Sequence, residues 1–578
     1  MGSVLYLHPH LRRATGRSLR AVKQASAAAP RRGDGQSLLR LGYNCSAIAR
    51  AERAAVLIDA ESYFRAFHDA ALKAQRSITI LAWDFNSQTR LHFDPVPKDG
   101  PPAVLGEFLN YLVRRRRGLE IYVLNWDYPM VFGTDREFPP LYGFGWTPER
   151  RVHLRYDDTH PIAGCHHQKI VVIDDSLAFV GGIDLTVRRW DTSEHLPDDP
   201  RRTAYGKPYP PFHDAMMMVD GDAARALAAL TRERWRAGTG RQLQPVAPPR
   251  DLWPATLPPD FTGTDIGIAR TLPPRGEHPA VREVENLYLD MIASARDCIY
   301  VENQYFTAPR IAAALEKRLA EPNGPEVVLV LRLLSHGWLE EHTMHILRTK
   351  LLRRLEAADR EGRFKAYYPH VPGLGEGCCL DVHSKVMIVD DRCLRIGSAN
   401  LCNRSMSVDA ECDVVVESRG DAEVAGTIRG FRDRLVAEHL GVPTEALARK
   451  AAETRSLHKA IAALATQGRT LMSFKEIPEW PEAIVNVAAV ADPDEPIALD
   501  ALMAERALEE EARSSRPAWG KLFGALVAIA ALAALWRFTP VAHLVRPEHV
   551  IDWAHEFASA WWAPLFVMAA YTPACFVM

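Results

Sequence analysis

The chain has 578 residues, 47% of them apolar and 25% charged, a balance typical of proteins that bury real cores and enough for roughly three to four domains. Its 70 basic and 72 acidic residues leave a formal charge of −2, so no global positive field draws nucleic acid. Nine cysteines, none in a CxxC pair, argue against a metal-ligand cluster and a full disulfide framework, and fit reduced thiols.

Residues 1–40 are basic and nearly free of acid, and read as a disordered leader. From 41 to 240, amphipathic helical stretches alternate with short apolar strands. SITILAWDF (77–85) follows AFHDAALKAQR, and LEIYVLNWD (119–127) follows GEFLNYLVRRRRG, which predicts an α/β architecture. Residues 241–275 are rich in Pro, Gly and Thr and read as a linker. The α/β alternation resumes over 276–447, and 448–516 reads as an acidic tether. Residues 517–578 hold two long apolar runs, Trp519–Phe538 and Phe557–Met578, expected as transmembrane helices. Basic residues before the first run place the preceding lobes on the cytoplasmic side, so the expectation is a multi-pass protein of the inner (cytoplasmic) membrane.

The two α/β stretches repeat one another. KAQRSITILAWDF (73–85) resembles ASARDCIYVENQYF (293–306), and IYVLNWD (121–127) resembles EVVLVLRLL (326–334). HHQKIVVIDDSLAFVGGIDL (166–185) matches VHSKVMIVDDRCLRIGSANL (382–401) without a gap, and HDAMMMVDGDAARA (213–226) pairs with AECDVVVESRGDAEVA (410–425). Four blocks in one order make this two copies of one unit.

Within the third block, His167 and Lys169 fall on the same side of a strand that Asp174 closes, and His383, Lys385 and Asp390 repeat the spacing. Gly181-Gly182 and Asp184 follow in the first copy, Gly397-Ser398 and Asn400 in the second. Offsets from the histidine agree at +2, +7, +14 and +17. A phosphodiester explains these residue types. Histidine can attack or transfer a proton near neutral pH, lysine holds non-bridging oxygens, and small turn residues expose backbone N–H groups. Two such histidines on opposite sides of one phosphorus allow in-line attack and leaving-group protonation, with no cofactor or metal required. His166 alternates to the opposite strand face.

The duplicated HxKx4D motif followed by a G-[GS]-x-[ND] turn resembles the phospholipase D superfamily over roughly residues 40–445. The implied fold is α/β, with two tandem pseudo-symmetric α/β/α sandwich lobes. ENQYF (302–306) and GSANLCNRSMSVDAECD (397–413) resemble its lipid-active bacterial branches, cardiolipin synthases among them. The resemblance implies a covalent phosphohistidine, with His167 as nucleophile and His383 as general acid/base, an order the symmetry does not fix. It implies phosphate binding by Lys169, Lys385 and Asn400, with Ser398 and Gly182 at the turns; Asp184, a carboxylate, would face phosphate poorly. It also implies an orienting acid for each histidine, which Asp214 and Glu411 fit. Asp174 and Asp390 then look structural, although they belong to the catalytic motif.

The expected activity is phospholipase D-type cleavage of glycerophospholipid head groups, releasing phosphatidate to water or transferring phosphatidyl to an alcohol. Cardiolipin synthesis is the nearest alternative; a phosphodiesterase acting on nucleic acid and a non-catalytic lipid-handling scaffold are more distant ones. The apolar C-terminal runs are similar to the start of a VTT (DedA-like) membrane domain, which adds the bilayer as a partner. One chain supplies both halves of the site, leaving oligomeric state open.

Overall fold

Runs such as IVVI (Ile170–Ile173) and VMIV (Val386–Val389) have no polar position to turn toward water. Both are buried throughout, in the interior of a mixed sheet. The computed structural model describes residues 36–496, apart from 128–145, 162–163, 247–250, 276–277, 335–337, 475–479, 481–483 and 486–487.

The two halves of the sheet have the same strand order, read outward from the centre. The first half runs Ala47–Ile58, Ala215–Asp220, Leu177–Gly181, Ile170–Ile173, Ser77–Ala82, Glu120–Trp126 and Val152–Asp157. The second runs Phe261–Leu272, Glu411–Glu417, Cys393–Gly397, Val386–Val389, Cys298–Asn303, Glu326–Leu331 and Phe364–His370, with Thr470–Ser473 added at its edge. The two innermost strands pair antiparallel, from Ala47 opposite Ile268 to Ala54 opposite Phe261, so a pseudo-twofold axis passes through the seam.

This seam joins the two expected lobes through one sheet. The range 241–275, read as a linker, carries the innermost strand of the second half, and the sheet runs unbroken through both copies. The range 448–516, read as a tether, holds helix Leu457–Leu464 and the edge strand Thr470–Ser473. On one face, helices Gly221–Thr239 and Ala422–Leu440 share a single core with the central strands, through Leu227, Leu435, Val56 and Ile268. On the other face each half keeps its own core, built on Phe64, Phe67 and Phe108 in the first and Leu287, Tyr288 and Leu315 in the second.

The expected transmembrane helices are the point at which the fold expectation is corrected. No helix among the described residues is long and apolar enough to cross a membrane. Even the 21-residue helix Trp338–Ala358 carries acidic and basic residues throughout. The runs Trp519–Phe538 and Phe557–Met578, on which that expectation rested, lie outside the described residues.

The halves differ in one buried pair. Arg395 donates to Asp413 Oδ2 through Nε at 2.9 Å and through Nη2, and it donates to the Ala399 and Lys385 carbonyls at 3.2 Å each. Neither side chain of this ion pair is exposed. The matching positions of the first half are Phe179 and Met216, an apolar pair of similar bulk. Removing one partner of a buried ion pair strands the other charge, whereas replacing both by apolar groups is often tolerated. Arg395→Met is therefore expected to cost about 3–5 kcal/mol in urea denaturation, and the double variant R395F/D413M to recover at least about half of that.

Candidate active site

Lys169 and Lys385 lead directly into the four-residue strands Ile170–Ile173 and Val386–Val389. Each strand reverses through a three-residue hairpin loop whose first two residues, Asp174–Asp175 and Asp390–Asp391, have φ between 47° and 53°. Aspartate tolerates that region far better than a branched residue. The first aspartate of each turn also binds backbone. Asp174 accepts from the N–H groups of Gln75, Arg76 and Ser77, each at 2.7 Å. Asp390 accepts from Arg296, Asp297 and Cys298 at 2.7, 2.8 and 2.9 Å. These aspartates thus fasten the start of the neighbouring strand, about 20 Å along the extended chain from the motif histidines.

The segments that enter the motif strands cross between the halves. Ala410 N–H donates to the Cys165 carbonyl and His167 N–H to the Ala410 carbonyl, both at 2.9 Å. Likewise Asp381–Val382 pairs in parallel with Phe212–His213, and His383 N–H donates to the His213 carbonyl at 2.8 Å. Each histidine therefore meets the acid of the other half. His167 Nδ1 lies 3.1 Å from both oxygens of Glu411, and His383 Nδ1 lies 2.6 Å from Asp214 Oδ2. An Nδ1–H that donates to a carboxylate leaves Nε2 with its lone pair, the tautomer a nucleophile or base needs.

Burial governs the electrostatics. The histidine side chains are only 13% and 11% exposed, and both acids are fully enclosed. Burial holds both imidazoles well below the ordinary histidine range, and the nearby Lys169 and Lys385 lower them further. It pushes the carboxyls of Asp214 and Glu411 up to about 7 and the Lys385 ammonium down to about 8.

The two lysines have different surroundings. Lys169 Nζ lies 3.1 Å from Asp184 Oδ2 and 5.8 Å from the Trp83 ring centre. Lys385 Nζ donates to Gln304 Oε1 at 3.4 Å and to the His383 carbonyl. Asp184 thus faces a lysine, while the side-chain oxygen of its counterpart Asn400 is buried without a hydrogen-bond partner. Ser398 and Gly182, expected at the turns beside the substrate phosphate, lie against the acids. Ser398 Oγ donates to Glu411 Oε2, and Ser405 Oγ supports Glu411 Oε1 at 2.6 Å. A Cβ at Gly182 would fall 2.1 Å from Asp214 Oδ1, so glycine leaves room for that carboxylate. His166 turns away, with Nε2 3.3 Å from Asp157 Oδ1.

Sequence reasoning assigned no role to Trp83, Gln304 or Ser405. Trp83 and Gln304 occupy matched positions just past strands Ser77–Ala82 and Cys298–Asn303, but their unlike chemistry hides the match.

The family model described as "Cardiolipin synthase, PLD-like domain" matches residues 288–432. Phospholipase D alpha 1 of Zea mays is 26% identical over 517 residues, covering 65% of this chain and 63% of that protein. Phospholipase D1 of Saccharomyces cerevisiae is 24% identical over 494 residues, covering 67% of this chain and 28% of that protein. The chain thus spans less than two thirds of the length of these relatives. Among solved structures, phosphatidylserine synthase of Haemophilus influenzae Rd KW20 is similar at 12% identity, with a TM-score of 0.45 over 76% of this chain and 93% of that one.

The two motif aspartates yield a test that separates scaffold from chemistry. Asp174→Ala and Asp390→Ala each remove three backbone acceptors and should each cost about 2–4 kcal/mol of unfolding free energy. Turnover per folded molecule, assayed well below the shifted midpoint, should stay within about threefold of the parent.

Proposed function

The chain belongs to the phospholipase D superfamily, and we propose that it cleaves or transfers the phosphatidyl group of glycerophospholipids through a covalent phosphohistidine. The observation that carries this reading is the crossed pair of imidazoles, each held through Nδ1 by a buried acid from the other half. The matched domain family and the phospholipase D relatives support a lipid phosphodiester as substrate.

In this reading Nε2 of His167 attacks phosphorus in line, and the bond from phosphorus to the head-group oxygen breaks. His383 delivers a proton to that oxygen, and the head group leaves as an alcohol. His383 then takes a proton from water or an acceptor alcohol, whose oxygen attacks phosphorus and frees His167. Lys169, Lys385 and Asn400 hold the non-bridging oxygens, whose charge must be matched throughout. Glu411 and Asp214 keep the rings oriented and stabilise imidazolium as it forms. Burial raises the Asp214 carboxyl to about 7 and lowers the His383 imidazole, so both members of the pair are shifted toward their neutral forms. The description of the matched family favours an alcohol on a second lipid or on glycerol as acceptor.

Purified protein incubated with head-group-labelled phosphatidylcholine or phosphatidylglycerol, with and without a primary alcohol, separates hydrolysis from transfer. Release of labelled head group is expected, with a phosphatidyl-alcohol forming only when alcohol is added. DNA cleavage without phospholipid turnover would sink the lipid reading. His167→Asn and His383→Asn should each lower turnover at least about a thousandfold, and peptide mapping after a denaturant quench held at alkaline pH should find the phosphatidyl adduct on His167. An adduct on His383 would reverse the two roles.

The alkaline side of the pH profile follows from Lys385. Its ammonium is pushed down to about 8, so the cation that holds phosphate is present below that pH and lost above it. The value of kcat/KM should fall about tenfold per pH unit above about 8. Lys385→Arg, which stays charged, should flatten that limb while lowering the plateau.

A further inference from the structure

Behind the crossed pairs lies a second polar cluster that the proposed chemistry does not use. Asp59 opens helix Asp59–Ala71 with φ 62°, His195 lies in the loop after the first motif turn, and His213 ends strand Phe212–His213. Glu438 comes from the last turn of helix Ala422–Leu440, in the other half. One ligating atom from each of the four lies within 4.8 Å of all the others. Asp59, His195 and His213 are buried, and the Glu438 side chain is 6% exposed. Glu438 also lines a cavity of about 580 Å³, which gives a cation a way in.

Three observations distinguish this cluster from an ordinary ion-pair network. The first is spacing. His213 Nδ1 is 3.0 Å from Asp59 Oδ1 and 3.0 Å from Glu438 Oε1, while His195 Nε2 is 3.1 Å from Glu438 Oε1 and 3.7 Å from Asp59 Oδ2. A tetrahedral ion with bonds of about 2.0–2.1 Å sets its ligand atoms ~3.3 Å apart, which these values bracket. The second is direction. His213 Nδ1 is buried and makes no well-aligned hydrogen bond, although two carboxylate oxygens stand beside it. A buried ring nitrogen that faces two carboxylates without an aligned hydrogen bond suits a cation placed among them.

The third is the outer shell. Nε2 of His213 is committed to Glu302 Oε2 at 2.9 Å, and Nδ1 of His195 to Asp191 Oδ2 at 2.9 Å. Those bonds fix the tautomers that turn the remaining nitrogens toward the cluster, the carboxylate–histidine arrangement of zinc sites. The outer acids are themselves held: Glu302 by Tyr300 at 2.6 Å, Ser384 at 2.7 Å and His439 at 3.0 Å, and Asp191 by Arg202 at 3.1 Å.

We propose that Asp59, His195, His213 and Glu438 form a buried zinc site that clamps the two halves together beneath the catalytic pairs. Two imidazoles and two carboxylates make a nitrogen–oxygen donor set that zinc accepts in four-coordinate geometry. A divalent cation would also offset the charge of four carboxylates (Asp59, Asp191, Glu302 and Glu438) packed around two rings. The site would act on catalysis by position. Asp59 N–H donates to the Asp214 carbonyl at 2.8 Å, Asp214 N–H donates to Asp59 Oδ1 at 3.3 Å, and Ser384 follows His383 directly.

Full-length protein purified without a metal-affinity step and analysed by inductively coupled plasma mass spectrometry should carry about one zinc per chain. Glu438→Gln and Asp59→Asn should each lower that content at least about tenfold. Cobalt-substituted protein should show the strong visible absorption of a four-coordinate site, absent from a Glu438→Gln variant whose circular dichroism matches the parent. That spectrum keeps the test independent of activity and of misfolding. Three results would overturn the proposal: no stoichiometric metal after incubation with zinc, no rise in Tm on adding zinc, or metal retained in both variants. The first two would leave a proton-held network, and the third would put the ion elsewhere.

Discussion

The crossing of the two motif segments is the constraint on which the site depends. Cys165–His167 pairs with Ala410, and Asp381–His383 pairs with Phe212–His213, so each histidine is seated on backbone from the opposite half. Neither half alone holds an imidazole and its acid together. The antiparallel seam between Ala47–Ile58 and Phe261–Leu272 makes this geometry reproducible, because it fixes the pseudo-twofold axis on which the crossing turns. Backbone pairing fixes positions more firmly than flexible side chains can, which suits two imidazoles that must each be held against an acid.

Much of the architecture was legible where the chain writes it in pure form. The strands Ile170–Ile173 and Val386–Val389 are apolar at every position, and their identical flanks exposed the duplication. The seam was hidden for a physical reason. AIARAERAAVLI (47–58) mixes alanine with charge at no clear period, and FTGTDIGIARTL (261–272) is interrupted by glycine and aspartate, so neither reads as a central strand. The partner that covers each strand is the other one, far away in sequence. The helix and edge strand after residue 448 were obscured because LHKAIAAL and TLMS are short and lie in an alanine-rich stretch with few large apolar residues to mark a buried face.

At the site, the spacing located the histidines and lysines but not their pairing. His167 and Glu411 are separated by 244 positions, and nothing local says that an acid will serve the far histidine and not the near one. The turn residues show the limit most clearly. In sequence, Gly182 and Ser398 are interchangeable small residues. In space one leaves room for Asp214 and the other donates to Glu411, because a shorter and a longer acid must be held at similar places. Side-chain length, which the motif pattern ignores, decides between them.

Joining two copies in one chain lets them diverge where a symmetric dimer could not. Each lysine donates to the carbonyl of its own motif histidine, but the first is also ion-paired with Asp184 at 3.1 Å, whereas the second donates to the neutral Gln304 and feels Asp214 and Glu411 without a direct ion pair to them among the described residues. The first cation is therefore largely spent on an internal anion and the second is available to an incoming one. That asymmetry gives two like histidines unlike surroundings, and it arises from a single carboxylate in place of an amide, Asp184 against Asn400. The apolar pair Phe179 and Met216, against Arg395 and Asp413, shows that the cores beneath have diverged by the same route.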